Sequence, residues 1–169
     1  MPLLILSLLL AGLLLLWLSR RQLEVAGLPR GRVISLDTLE LTSPERALYD
    51  PELDLVGRPD YLVKRGSEVL PVEIKSSAAP VQPHASHVLQ LAAYCRLVSA
   101  SFGSRPRQGV LKYEDRSVAV NYNRRLEAAL LDQLAEMRRW GNRAPDRSHA
   151  SPERCRACGH RDICDQRLM

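Results

Sequence analysis

Aromatic side chains are scarce in this chain: one Phe, two Trp and five Tyr, 5% of 169 residues. That excludes a large aromatic core and a platform of many stacked rings. Cysteine is also rare, and four thiols are too few for a small disulfide scaffold. No histidine precedes His84, and no cysteine precedes Cys95. Residues 1–18 carry no charged side chain at all. There is no internal repeat and no low-complexity tract. What is present is ordinary globular material, 46% hydrophobic and 25% charged, which rules out wholesale disorder. The length supports one domain with at most a small appendage. The net charge is +5.

The uncharged start, residues 2–18 (PLLILSLLLAGLLLLWL), is apolar on every helical face. As a helix it would span roughly 25 Å, the short end of what crosses a bilayer. Trp17 suits an interface, and Arg20 and Arg21 place the following domain on the cytoplasmic side. The expectation is a single-pass membrane anchor over residues 1–19. A cleaved signal is disfavoured, because no basic residue precedes the run and no A-x-A-like site follows it. A buried core helix is the remaining reading, although a soluble helix would show a polar face. Residues 20–32, with Gly27, Pro29 and four arginines, read as a juxtamembrane linker.

The rest alternates in type. Residues 33–41 suit a strand, and 43–51, with Pro44 and Pro51, a turn or short helix. Residues 54–63 and 68–75 read as paired strands around a turn at 64–67. A loop follows at 76–83. Residues 86–100 have helical periodicity, with Val88, Leu91, Ala92, Cys95 and Val98 on the apolar side. Residues 109–113 and 117–122 form a hairpin. A second helix over 123–140 places Leu126, Leu130, Leu134 and Met137 on one stripe. This order predicts a mixed α/β (α+β) core over residues 33–140, followed by a cysteine-containing tail over 141–169.

The strongest chemical signal is Asp60 followed by Glu73, Ile74 and Lys75. On a strand, Glu73 and Lys75 share one face and Val72 and Ile74 the other. A neighbouring strand carrying Asp60 brings a second carboxylate beside Glu73. Two convergent carboxylates and a backbone carbonyl make an oxygen-rich site for Mg²⁺ or Mn²⁺. Such an ion activates water and clamps a phosphate oxygen. A lysine on the same face offsets developing charge. Gly57 is expected to leave space for a substrate backbone. On the following helix His87, Gln90 and Tyr94 share one face. Taken alone, E-x-K on a strand is more often a solvated charge pair. The apolar surroundings of Asp60 favour a partnered carboxylate instead.

The run Gly57-Arg58-Pro59-Asp60, then Pro71-Val72-Glu73-Ile74-Lys75, then Gln90-x-x-x-Tyr94 resembles the PD-(D/E)XK nuclease superfamily. In particular it resembles the RecB-like CRISPR-associated exonuclease family, the fourth of the Cas protein families, over residues 53–169. The resemblance implies a restriction-endonuclease-like core, a mixed sheet flanked by helices. It also implies metal-dependent cleavage of DNA, usually single-stranded, in CRISPR adaptation or DNA repair alongside the proteins of those processes. It makes Asp60, Glu73 and the Ile74 carbonyl metal ligands, Lys75 the catalytic lysine, and Gln90 and Tyr94 the Q-x-x-x-Y motif. The family's upstream histidine ligand has no counterpart here, and Asp37, Glu40, Glu45 and Asp50 are the candidates to replace it. A catalytically degenerate DNA-binding or assembly module on the same fold is the alternative.

Cys155, Cys158 and Cys164 have the spacing C-x₂-C-x₅-C, a metal-ligand pattern for zinc or an iron–sulfur cluster. The resembled family uses this spacing for a four-iron cluster. The fourth ligand is open among Cys95, His149, His160 and a group outside the chain, and Cys95 sits on an apolar helix face. From Arg96 onward, 15 Lys and Arg stand against 9 Asp and Glu, nearly all the bases being arginine. That composition suits phosphate recognition, or anionic lipid near the anchor.

Overall fold

Proline and glycine punctuate the described residues into short strands and two long helices. A computed structural model describes residues 10, 31–34, 40–141, 147 and 149–168. Apart from Leu10, the expected membrane anchor lies outside the described residues, as does nearly all of the linker. Among the described residues, no helix is long and apolar enough to cross a membrane. The chain divides into two compact units, residues 1–132 and 133–169.

Among the described residues the first unit holds eight strands: β1 (Arg32–Ile34), β2 (Leu41–Thr42), β3 (Leu48–Asp50), β4 (Leu55–Gly57), β5 (Tyr61–Arg65), β6 (Glu68–Ile74), β7 (Gln108–Lys112) and β8 (Ser117–Asn121). Six form one sheet in the order β1-β8-β7-β6-β5-β2. Only β6 and β7 run parallel, with Glu73 opposite Leu111. A parallel pair needs a crossover, and helix α1 (Ala85–Phe102) supplies it. The mixed sheet with helices matches the expected class.

Strand β6 shows how the site is placed. Side chains alternate across the sheet, so Leu70 and Val72 join Val63 and Val110 in a cluster of residues at most 2% exposed. Each fully buried Val or Leu contributes about 1.5–3 kcal/mol. Pro71 and Glu73 point to the other face, where α1 lies. That helix buries Val88, Leu91, Ala92, Cys95, Leu97 and Val98. Gly109 lets it approach, because a Cβ there would sit 2.7 Å from Leu91 Cγ. Gly103, at φ 66°, ends the helix and returns its N–H to Ser99 O.

Several local expectations are corrected. Residues 43–51 contain strand β3 rather than a turn or short helix, and β3 pairs with β4 in a separate two-stranded sheet. The expected 54–63 strand is broken between β4 and β5 at Arg58–Asp60, where Pro59 offers no N–H to a ladder. The region 33–41 is likewise split between β1 and β2, with residues 35–39 outside the described residues. The β5–β6 turn tightens to Gly66 and Ser67, Gly66 taking φ 63°. Ile74 is 41% exposed, because it is the last residue of β6 and its apolar neighbours end at Val72.

Helix α2 (Arg124–Trp140) starts on Asn123, whose Oδ1 accepts from Leu126 N at 2.8 Å. Its expected stripe holds at Leu126 and Leu130, which are buried, and fades to half-buried Leu134. Met137 is 61% exposed, on polar last turns where Glu136, Arg138 and Arg139 flank it. The second unit contains the short helix α3 (Pro152–Arg156), capped by Ser151, and a 3₁₀ turn at Arg161–Ile163.

Candidate active site

Asp60 stands just before β5 and Glu73 near the end of β6. The antiparallel register sets Tyr61 opposite Val72, which brings the two acids to neighbouring positions at the same end of the sheet. Asp60 Oδ2 accepts from Ile74 N at 2.7 Å. That bond fixes the Asp60 carboxyl where the ladder between β5 and β6 has ended. Glu73 is 7% exposed. Burial raises its pKa, and the charge and hydrogen-bonding proximity of Asp60 add to this, outweighing the pull of Lys75 in the other direction. The two carboxyls therefore lie close enough to interact.

Lys75 Nζ donates to Glu73 Oε1 at 2.9 Å and to Gln90 Oε1 at 2.9 Å. Gln90 Nε2 donates to the same Glu73 oxygen at 2.8 Å and to Tyr94 Oη at 3.1 Å. Burial raises the tyrosine pKa, and the nearby carboxylates add to the effect. Spacing of four residues puts Gln90 and Tyr94 one turn apart on α1, so one helix face holds the lysine and the acid together. The backbone of Lys75 is itself fixed, its N–H donating to Lys112 O at 2.8 Å. The structure thus brings together Asp60, Glu73, Lys75, Gln90 and Tyr94.

The donor set suits a divalent metal. Oε1 of Glu73 and Oδ2 of Asp60 are taken by nitrogen donors, while the second oxygen of each carboxyl accepts from no nitrogen donor among the described residues. Hard, mutually repelling carboxylate oxygens are the ligands Mg²⁺ and Mn²⁺ take. Such an ion would draw on Asp60 and Glu73, with the Ile74 carbonyl expected as the third ligand.

Other expectations fall differently. Asp50, a candidate for the missing upstream ligand, is fully buried and already engaged. Its carboxyl accepts from Arg96 Nε at 2.5 Å and from the N–H groups of Glu52 and Leu53. Burial pushes its pKa up, but these donors outweigh that and hold it below the ordinary range. Arg96 also bonds Glu52. Glu40 and Glu45 are exposed, and Asp37 lies outside the described residues. Gly57 does not open a path for substrate: a Cβ there would meet Leu97 Cδ1 at 2.9 Å and Tyr94 Cε1 at 3.1 Å. Its smallness seats α1, and Tyr94 with it.

Among the described residues no group of three or more His, Cys, Asp or Glu is gathered to hold a metal, so Cys155, Cys158 and Cys164 are not drawn into one ligand cluster. Cys155 is buried, and its sulfur accepts from Leu168 N at 3.2 Å. Cys95 is a core thiol, 1% exposed, and burial pushes its pKa far up.

Sequence reasoning missed what borders the lysine. His87 Nδ1 lies 3.1 Å from Tyr113 Oη, and the His84 ring meets His87 edge-on at 5.2 Å. Burial lowers the His87 pKa, and the charges of Lys75 and His84 add to this. The loop from Lys75 to α1 is pinned by the β7–β8 turn. Asp115 accepts from Ala79 N, and Arg116 donates to the carbonyls of Ala79 and Pro80. Placing His87 on the helix face was legible from its spacing, but Tyr113 and Asp115 meet it and the loop only through the sheet.

The model of the PD-(D/E)XK nuclease superfamily matches residues 7–165. The chain is also similar to a solved structure, the crystal structure of SSO0001. It is 21% identical, with a TM-score of 0.43, and the match covers 94% of this chain and 70% of that one.

Proposed function

This chain belongs to the PD-(D/E)XK nuclease superfamily, and on that premise we propose that it hydrolyses phosphodiester bonds in DNA with a divalent metal held by Asp60, Glu73 and the Ile74 carbonyl. The observation that carries the reading is the closed set of bonds joining Glu73, Lys75, Gln90 and Tyr94 beside Asp60. Mg²⁺ or Mn²⁺ bound there supplies a water of lowered pKa and neutralises charge on the phosphate. The chain's own groups do the rest. Glu73 and Gln90 hold the Lys75 ammonium in one rotamer, from which it stabilises negative charge gathering on the phosphate oxygens. Gln90 and Tyr94 present an amide and a hydroxyl on the same helix face, suited to orienting a phosphate or keeping the lysine in place. Ile74 N–H fixes the Asp60 carboxyl at the end of β6, one residue from Glu73.

Single-stranded DNA is the proposed substrate and exonucleolysis the proposed mode, within CRISPR adaptation or DNA repair. Their support is the motif set and the arginine excess from Arg96 onward. Attachment to the membrane, with the nuclease unit on the cytoplasmic side, is supported by the apolar run 2–18 and by Arg20 and Arg21. A zinc or iron–sulfur clip in the tail rests on the C-x₂-C-x₅-C spacing alone. Metal analysis of anaerobically purified protein tests it, and absence of both zinc and iron removes it.

End-labelled single- and double-stranded DNA, incubated with and without Mn²⁺, tests the main reading. Loss of label as mononucleotides from the single strand supports it. Intact DNA in every divalent metal, with salt-sensitive binding retained, would favour the degenerate DNA-binding module instead.

A further inference from the structure

At the end of the sheet away from Glu73 lies a cavity of about 350 Å³ lined by Arg32, Arg65, Glu68, Arg107 and Gln108. Four strands build it: the start of β1, the end of β5 and the starts of β6 and β7. Three arginines face one acid. Glu68 is partly occupied, its Oε1 accepting from Arg107 N at 2.6 Å. The other described arginines with acidic neighbours are paired: Arg96 to Asp50 and Glu52, Arg105 to Glu127, Arg116 to Asp115 and Arg156 to Glu153. Arg32, Arg65 and Arg107 form no ion pair with any described residue, and all three are exposed. Like charges gathered around a concavity repel one another weakly in water, and an anion seated between them relieves that repulsion. Guanidinium groups are the donors that match phosphate oxygens in pairs.

We propose that this arginine-lined cavity is a second phosphate-binding site, one that holds the backbone of a nucleic-acid strand at a distance from the cleavage centre. Strand β6 sets that distance. From Glu68 to Glu73 is five steps of about 3.3 Å, about 17 Å along the strand. The odd count turns the two side chains to opposite faces of the sheet, so a nucleic-acid strand joining the two sites runs a longer path than this. A phosphate held there lies several nucleotides from the one being hydrolysed. Contacts to remote parts of a substrate raise affinity without touching the reacting atoms, so they favour long strands over short ones. The proposal rests on the nuclease reading for its ligand, but not on catalysis for its test.

The test is the binding of a long single-stranded oligonucleotide to the full chain in Ca²⁺ across a salt series, for wild type and for Arg65→Ala/Arg107→Ala. The double variant is expected to bind more weakly. Its plot of log affinity against log salt should be shallower by about 1.4, since each phosphate of a single strand that is no longer neutralised removes about 0.7. Arg65→Lys/Arg107→Lys should restore most of the slope, which guards against a folding artefact. Hydrolysis of a short oligonucleotide in Mn²⁺ should be unchanged by either variant. An unchanged slope for the alanine variant overturns the proposal. So does a variant that loses affinity for inorganic phosphate or a mononucleotide while binding the long strand normally, for the cavity would then take a free phosphate. A wild type that shows the expected slopes but no hydrolysis in Mn²⁺ overturns the nuclease reading and leaves the second site standing.

Discussion

Asp60 Oδ2 accepts the backbone N–H of Ile74 at 2.7 Å, across fourteen positions of chain. One bond therefore ties the carboxyl before β5 to the end of β6, one residue from Glu73. Every part of the proposed chemistry depends on that closure, because two acids on separate strands hold a cation only when something fixes their approach.

Gln90 is the residue that joins the acid, the lysine and the tyrosine. Replacing it by alanine frees Lys75 from one of its two oxygen partners and removes a donor from Glu73. Gln90→Ala is expected to lower kcat by about 10- to 100-fold, as for other residues that orient metal ligands, with the fold intact. Steady-state kinetics alongside circular dichroism checks this. Unchanged kcat would show that Lys75 is held well enough by Glu73 alone.

Metal binding should appear in stability as well as in turnover. An ion that binds only the folded chain stabilises it by about 2.7 kcal/mol at one hundred times its Kd. Mn²⁺ is expected to raise the Tm of the wild type and to leave that of Asp60→Asn/Glu73→Gln unmoved. Differential scanning calorimetry with and without chelator makes the comparison. An equal rise in both proteins would place the metal elsewhere.

Glu73 carries a pH signature. Burial, reinforced by Asp60, raises its pKa above the ordinary 4.5 in the folded chain. The folded state thus holds that proton more tightly than the unfolded one. Its contribution to stability is present below the ordinary value and is lost as pH rises through the raised one. Without metal, Glu73→Gln should flatten this decline, seen in urea midpoints across a pH series. A steeper decline in the variant would contradict the assignment of the burial penalty to Glu73.

Gly57 reports on the packing that seats Tyr94. A Cβ there would stand 2.9 Å from Leu97 Cδ1 and 3.1 Å from Tyr94 Cε1. Gly57→Ala is expected to cost about 1–3 kcal/mol through overpacking and to reduce activity by displacing Tyr94. Denaturant midpoints and kcat measured on the same preparation test both parts. A variant of native stability and full activity would show that α1 yields easily.

Much of the site was legible from local pattern. Period two, carried one residue past the end of β6, put Glu73 and Lys75 together, and a spacing of four put Gln90 and Tyr94 on one face of α1. Both rules act within one element, where sequence distance converts directly to geometry. What was not legible depends on how elements meet. Asp50 read as a candidate metal ligand, because its partner Arg96 is 46 positions away on a helix packed against β3. Gly57 read as open space, because nothing near it in sequence shows Leu97 approaching. Pro59 was inside an apparent strand, yet it divides two sheets. The same limit explains Met137: periodicity predicts a stripe, but not how far along the helix the neighbours that cover it extend.

The most direct measurement is Mn²⁺-dependent degradation of end-labelled single-stranded DNA by wild type, Glu73→Ala and Lys75→Ala, with circular dichroism on each. The account predicts degradation by the wild type and loss of it in both variants, with native spectra throughout. Equal activity in the wild type and the two variants would contradict it.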